Sequence, residues 1–331
     1  MNNLTFPIIN LLADGLFHSG EVLAQRFNVS RATVWNAVKH AESLGVEVFK
    51  VRGRGYKLPQ AIEFLDKNSV LTAIGEQRAC FNVQILDEVA STNTYLMQQK
   101  NIAHATCVAA HIQTHGKGRR GRTWVSQLGA SLTFSLLWRF SCGVAGLSGL
   151  SLAVGVALMR AVNALGVNNA QLKWPNDVLV NNQKLAGILI ELQGDLEGPS
   201  AAVIGVGVNL NLSKIVLQSI DQPAIDIASV SAQSINQNEL LGTILKHLAD
   251  VLSTFESGGF IGLRDEWLSY HAYQNKPVRM LLPNGTEVQG IVKNVADDGI
   301  LLVETVLGLQ RFSAGEISLR GLNAAGVEQC Y

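Results

Sequence analysis

The 331-residue chain has 26 Lys and Arg against 26 Asp and Glu, and 47% of it is hydrophobic, so its field is local and its core is large enough for two or three domains. No basic segment followed by an apolar run opens residues 1–20, and Cys80, Cys107, Cys142 and Cys330 form no C-x-x-C, which excludes export, a zinc site and a redox dithiol as sequence expectations and predicts a reducing cytoplasm. The uncharged stretch 140–159 is broken by Gly143, Gly146, Gly149, Gly155 and several serines, and predicts a loop entering a buried helix in place of a membrane span.

Residues 1–62 read as a module of their own. Helical patterns cover 8–13, 20–27 and 31–44, with Ser19 and Ser30 as N-caps and Gly45 as a stop. Val34, Val38, Ala41 and Leu44 share the inner face of the last helix, leaving Arg31, Thr33, Trp35, Asn36 and Lys39 outside it. Two β-prone runs over 46–58 flank Gly53 and Gly55, with Arg52 and Arg54 at the tip. This outlines a winged helix. Its DNA-facing candidates are Ser30, Arg31, Ala32, Thr33, Trp35, Asn36, Lys39, Arg52 and Arg54, although such modules also bind proteins.

After a helical stretch at 62–76, strand patterns at 83–86, 106–112, 131–138, 178–180, 184–192 and 201–210 alternate with helical ones at 93–100, 147–165 and 239–255. An α+β unit with a mixed sheet over 63–273 follows. Within it, Ser91, Thr92 and Asn93 join a strand to a helix and either cap it or bind a small polar group.

Residues 114–126, THGKGRRGRTWVS, set Lys117, Arg119, Arg120 and Arg122 among Gly116, Gly118 and Gly121, and no Asp or Glu occurs from 89 to 176. Four cations within six positions call for an anion, and the glycines free the backbone to close over it. The loop also spells G-x-G-x-x-G. It is followed by a strand pattern and by no acid before Asp177, so a dinucleotide fingerprint is set aside.

Lys173-Trp174-Pro175-Asn176-Asp177 lies between two strands; Lys and Asn suit phosphate, and Asp a metal or a proton. Lys184 begins an apolar strand, where it either snorkels outward or enters a pocket. Glycines at 205 and 207 weaken their strand unless something lies close against it, such as a nucleobase. Residues 274–331 show short β patterns with turns at Asn284-Gly285 and 297–299, read as a five-stranded SH3-like barrel.

The succession of winged helix, S-T-N at 91–93, G-x-G-R-R-G-R-x-W-like loop, K-W-P-N-D at 173–177, K-L-A-G-I-L-x-E from 184, G-x-G-x-N at 205–209 and terminal barrel resembles the bacterial bifunctional biotin protein ligases and biotin operon repressors. The resemblance spans essentially the whole chain. It implies a central fold like class II aminoacyl-tRNA synthetases, with biotin, ATP and Mg²⁺ as ligands. Ser91, Thr92, Asn93 and Gln113 would then hold the ureido ring or valerate, and Lys117, Gly118, Arg119 and Lys184 the carboxylate side. Arg119, Arg120, Arg122, Trp124, Lys173, Asn176, Asn209 and Arg320 would surround ATP or the adenylate, with Lys184, Arg119 and Asp177 as catalytic groups. Lys117 stands where the family commonly has arginine, which removes a planar fork. The partners implied are the biotin carboxyl carrier protein, operator DNA and, once adenylate is bound, a second copy of the chain. A lipoate or octanoate ligase and a non-enzymatic ligand-gated repressor are the competing readings.

Overall fold

The computed structural model describes residues 4–282, 284–313 and 318–321; Cys330 lies outside them. Helices α1 (Thr5–Leu12), α2 (Gly20–Arg26) and α3 (Arg31–Ser43) precede the hairpin β1 (Phe49–Val51) and β2 (Gly55–Lys57). The caps fall where the hydroxyls predict: Ser19 accepts from the Val22 N–H and Ser30 from the Thr33 N–H, both at 3.1 Å. Val34, Ala37, Val38 and Ala41 turn inward, which leaves Arg31, Ala32, Trp35, Asn36 and Lys39 exposed along α3. The Lys39 amine sits 5.2 Å from the Trp35 ring, and the Arg54 guanidinium stacks 4.2 Å over Phe17 at the wing.

The helix expected at 62–76 is shorter, because Asp66 caps α4 (Lys67–Ile74) by accepting from the Ser69 N–H at 2.8 Å. Ile62 and Phe64, ahead of that cap, pack instead into the N-terminal core, which also takes in Ile112 and Leu128.

A seven-stranded mixed sheet forms the middle of the molecule. Its strands are β3 (Asn82–Val89), β4 (Thr106–Gln113), β5 (Ser131–Phe140), β6 (Ala170–Lys173), β7 (Asp177–Val180), β8 (Gln183–Gly194) and β9 (Ser200–Asn209), in the order β3-β4-β5-β9-β8-β7-β6. Only β3 and β4 run parallel. Asn181 and Asn182, at φ 51° and 62°, make the two-residue turn from β7 to β8. Helix α5 (Thr92–Gln98) packs on β5 and β9. Helix α6 (Leu150–Ala164) is the buried helix expected of the uncharged stretch, and no helix among the described residues is long and apolar enough to cross a membrane.

Helices α7 (Lys214–Ser219), α8 (Ile227–Val230), α9 (Gln237–Gly258) and α10 (Ile261–Ser269) follow. A five-stranded antiparallel sheet of β10 (Pro277–Leu281), β11 (Glu287–Val295), β12 (Leu301–Thr305), β13 (Gly308–Phe312) and β14 (Ser318–Gly321) ends the described fold. Its turn at 296–299 seats on the central unit: Trp174, fully buried, donates from Nε1 to the Gly299 carbonyl at 3.0 Å, and Ser148 Oγ donates to the Asp298 carbonyl at 2.6 Å. Ser151, in the first turn of α6, donates to the Pro175 carbonyl at 3.0 Å. The turn 173–177 is thereby held from two sides.

Candidate active site

Two connected hollows open over the sheet where β8 and β9 pass beneath the basic loop. The smaller, about 50 Å³, is a slot lined by Thr92, Gln113, Lys117, Phe134, Gly187 and Gly207 among others. The larger, about 290 Å³, is lined by Arg120, Arg122, Lys173, Asp177, Asn209 and Arg320 among others. Gly118, Arg119, Trp124, Asn176 and Lys184 belong to both and form the wall between them.

The basic loop is a compact hairpin over this wall. Gly118 N–H donates to the Arg122 carbonyl at 2.7 Å, Trp124 N–H to the Gly116 carbonyl at 2.9 Å, and Lys117 bridges Thr123. Arg120, at φ 58°, and Gly121, at φ 72°, turn the tip, while Arg119 reaches inward and donates to Asn176 Oδ1 at 3.0 Å. Burial lowers the Arg119 pKa, with Arg120 and Arg122 adding to that effect and Asp177 opposing it.

Lys184 resolves the choice between snorkelling and a pocket: its amine meets Asp177 Oδ1 at 2.7 Å and lies 5.7 Å from the Trp124 ring. Burial alone would raise the Asp177 carboxyl, but the charges of Lys184 and Lys173 and the contact with Lys184 overrule it and hold the pKa below the usual carboxylate range. A carboxylate held low is a weak base, and the contact at 2.7 Å makes Asp177 the anchor of the Lys184 amine. Lys173 beside it is pushed down to about 8, mainly by burial.

The glycines in β8 and β9 are used by the protein itself. The Trp124 indole lies on Gly207 and leaves no room for a Cβ, and Asn93 does the same over Gly205. The flat group expected there is thus a tryptophan, and its Nε1–H has no acceptor among the described residues. Asn209 donates to the Lys184 and Ile225 carbonyls, both at 3.0 Å, so its amide tethers the start of β8.

At the far end of the slot, Ser91 Oγ caps α5 through the Thr94 N–H at 3.4 Å. Gln113 Oε1 accepts from the Thr92 N–H at 2.7 Å. The segment 219–224, with Ser219, Asp221 and Gln222 on the larger hollow, carries no motif and was not legible in the sequence. Ser30 through Lys39 and the wing arginines lie together on the N-terminal unit and take no part in this site; Arg31, Ala32, Trp35 and Arg52 border one groove there.

Fold and site place the chain in a class defined by three domain families: the HTH domain over residues 6–57, the Biotin/lipoate A/B protein ligase family over 86–209 and the Biotin protein ligase C terminal domain over 274–320. The chain is 35% identical to the bifunctional ligase/repressor BirA of Salmonella typhimurium, over 97% of this chain and 99% of that protein. It is 33% identical to that of Escherichia coli K12, over 96% and 98%. The biotin protein ligase of Aquifex aeolicus in complex with biotin and ATP superposes with a TM-score of 0.63 at 28% identity, covering 72% of this chain and 99% of that one. The chain belongs to the bifunctional biotin ligase/repressor family.

Proposed function

We propose that this protein joins biotin to ATP, forming biotinyl-5′-AMP, and passes the biotinyl group to a lysine of the biotin carboxyl carrier protein of acetyl-CoA carboxylase. The same adenylate-bound chain represses biotin-synthesis genes. The observation that carries the reading is the shared wall: an acid in the slot and a nucleotide in the larger hollow would meet at Arg119 and Lys184. The domains concerned are 1–62 for DNA, 63–273 for catalysis, resembling class II aminoacyl-tRNA synthetases, and 274–331, read as an SH3-like barrel, of which 283, 314–317 and 322–331 lie outside the described residues.

The chemistry follows from charge. A carboxylate oxygen attacks the α-phosphorus and pyrophosphate leaves, so two anions must be held together while negative charge builds on phosphate. Lys184, kept in place by Asp177, and Arg119, kept in place by Asn176, are fixed donors at that point. Arg120, Arg122, Lys173 and Arg320 surround the triphosphate side. Mg²⁺, held by the triphosphate's own oxygens, would offset charge there; among the described residues no cluster of three His, Cys, Asp or Glu would cage it. The hairpin 116–124 covers the mixed anhydride against water. The acceptor amine then attacks the biotinyl carbonyl and AMP departs.

For repression, two winged helices must be paired. Strand β8 offers the surface: β7 pairs it only between Gln183 and Gly187, so its outer edge over 189–194 has no strand partner among the described residues. Leu192 and Leu196 stand 38% and 73% exposed beside that edge. Antiparallel pairing of two such edges would join two copies of the sheet.

Labelled biotin, lipoate and octanoate, each supplied with ATP and a carrier domain, test the ligase reading. Label on the carrier with biotin supports it, and label only with lipoate or octanoate assigns the protein to the other branch. Biotin binding without pyrophosphate release would make it a sensor.

A further inference from the structure

We propose that Glu191, acting through Asn93 and Ser135, points the Thr92 hydroxyl so that its lone pairs face the slot and select a ligand N–H. The proposal rests on the biotin reading of the slot and deepens it by naming what sets the polarity of the ureido end.

The direction of each hydrogen bond follows from what its partner can do. Asn93 Nδ2 stands 2.8 Å from Glu191 Oε2 and 3.3 Å from the Leu189 carbonyl. A carboxylate and a carbonyl only accept, so both face the amide nitrogen and the amide cannot be reversed. Asn93 Oδ1 is then the atom 2.6 Å from Ser135 Oγ, and Ser135 must donate its one proton to it. Ser135 Oγ is also 2.6 Å from Thr92 Oγ1. With its own proton committed, Ser135 accepts here, and Thr92 donates.

Thr92 also lies 3.1 Å from Gln113 Oε1, but it has a single proton and the shorter contact takes it. Gln113 Oε1 keeps the Thr92 N–H at 2.7 Å, which turns Gln113 Nε2 the other way, close to Gly116. The buried end of the slot thus shows one acceptor, Thr92 Oγ1, and one donor, Gln113 Nε2. A cyclic urea carries the complement, an N–H beside a C=O. Fatty and lipoyl acids carry neither there, and a site built to pair such groups rejects ligands that lack them.

Ser135 belongs to no motif, Glu191 closes the K-L-A-G-I-L-x-E run without a role assigned to it there, and Asn93 spends all three contacts on protein. These three are positioning residues. Glu191 is the origin of the order because it cannot donate as a carboxylate; a glutamine there could turn either face to Asn93 and leave the chain without a direction.

The test is biotin-dependent pyrophosphate exchange and calorimetry on the full-length protein as Glu191→Gln, Asn93→Asp and the double swap. Each single change is expected to raise the KM for biotin about tenfold or more and leave the KM for ATP within about twofold. The double swap is expected to bind biotin at least about threefold more tightly than Asn93→Asp alone, short of wild type because the Leu189 carbonyl then faces an oxygen. The introduced glutamine then donates to the introduced aspartate, which reverses the original bond, and the aspartate still accepts from Ser135. A swap that binds no more tightly than Asn93→Asp alone overturns the proposal, as does E191Q with a wild-type KM. If Asn93→Asp does not fold, E191Q decides alone: wild type must discriminate between biotin and its N-methylated urea at least about tenfold more than E191Q does, and equal discrimination overturns the proposal. Wild-type protein that fails to bind biotin sinks the reading of the slot, a different failure from a swap without rescue.

Discussion

Lys184, in the wall between the two hollows, meets Asp177 of the larger one at 2.7 Å, and the proposed reaction would use this held amine as its cation. K184A should slow adenylate formation by about 10²–10³, the usual cost of losing one fixed donor to a developing oxyanion. D177N strands the lysine and should slow the same step at least about tenfold. Transfer from preformed adenylate, followed separately, should suffer less; a defect confined to transfer would restore Asp177 as a base.

Gly207 has no Cβ because the Trp124 indole occupies that place. G207A should displace the ring, alter tryptophan fluorescence and weaken biotin binding by about tenfold or more, with the fold kept. Unchanged affinity by calorimetry would show that Trp124 does not shape the slot.

Lys173, with a pKa of about 8, is charged below that pH and neutral above it. Its charge is useful to a triphosphate only in the protonated form, so kcat/KM for ATP should fall above pH 8, by at most about tenfold per unit. K173R should flatten the profile. A wild-type profile that stays level to about pH 9.5 would remove Lys173 from nucleotide binding.

His111 lies between Phe6, 6.1 Å away, and Phe64, 4.7 Å away, and burial lowers its pKa from 6.5 to about 4. The folded state therefore keeps it neutral while the unfolded chain takes a proton below 6.5. Stability should be full above about pH 6.5 and fall as pH drops toward about 4, by up to about 3 kcal/mol for this group. His271, lowered to about 4 by burial, acts in the same direction. H111L should remove part of the slope in urea titrations between about pH 7 and 5; an identical slope would place the acid sensitivity elsewhere.

Leu192 stands outside both hollows on the open edge of β8. L192D should lower operator affinity in gel shifts with biotin and ATP by about thirtyfold, while adenylate formation stays within about twofold. Full operator affinity would rule out this edge as the pairing surface.

Local chemistry was readable in the sequence. Ser19 and Ser30 announce helix starts, and the glycines among the arginines of 116–122 a sharply turning loop, because each acts within a few residues of itself. Cross-chain relations were not. Gly205 and Gly207 signal a close approach but not what approaches, and Asn93 and Trp124 come from other elements. Ser135 looks like an ordinary strand residue, and Glu191 closes a motif without showing what it holds, until the sheet brings both to Asn93. The helix expected from 62 starts later because Ile62 and Phe64 have a core to fill in the neighbouring unit, which no local pattern can state.

A crystal of the protein soaked with biotin and ATP tests the account most directly. The account predicts biotinyl-5′-AMP with its urea between Thr92 and Gln113, its phosphate between Arg119 and Lys184, and adenosine in the larger hollow. Biotin and nucleotide bound apart, away from the wall formed by Arg119 and Lys184, would contradict it.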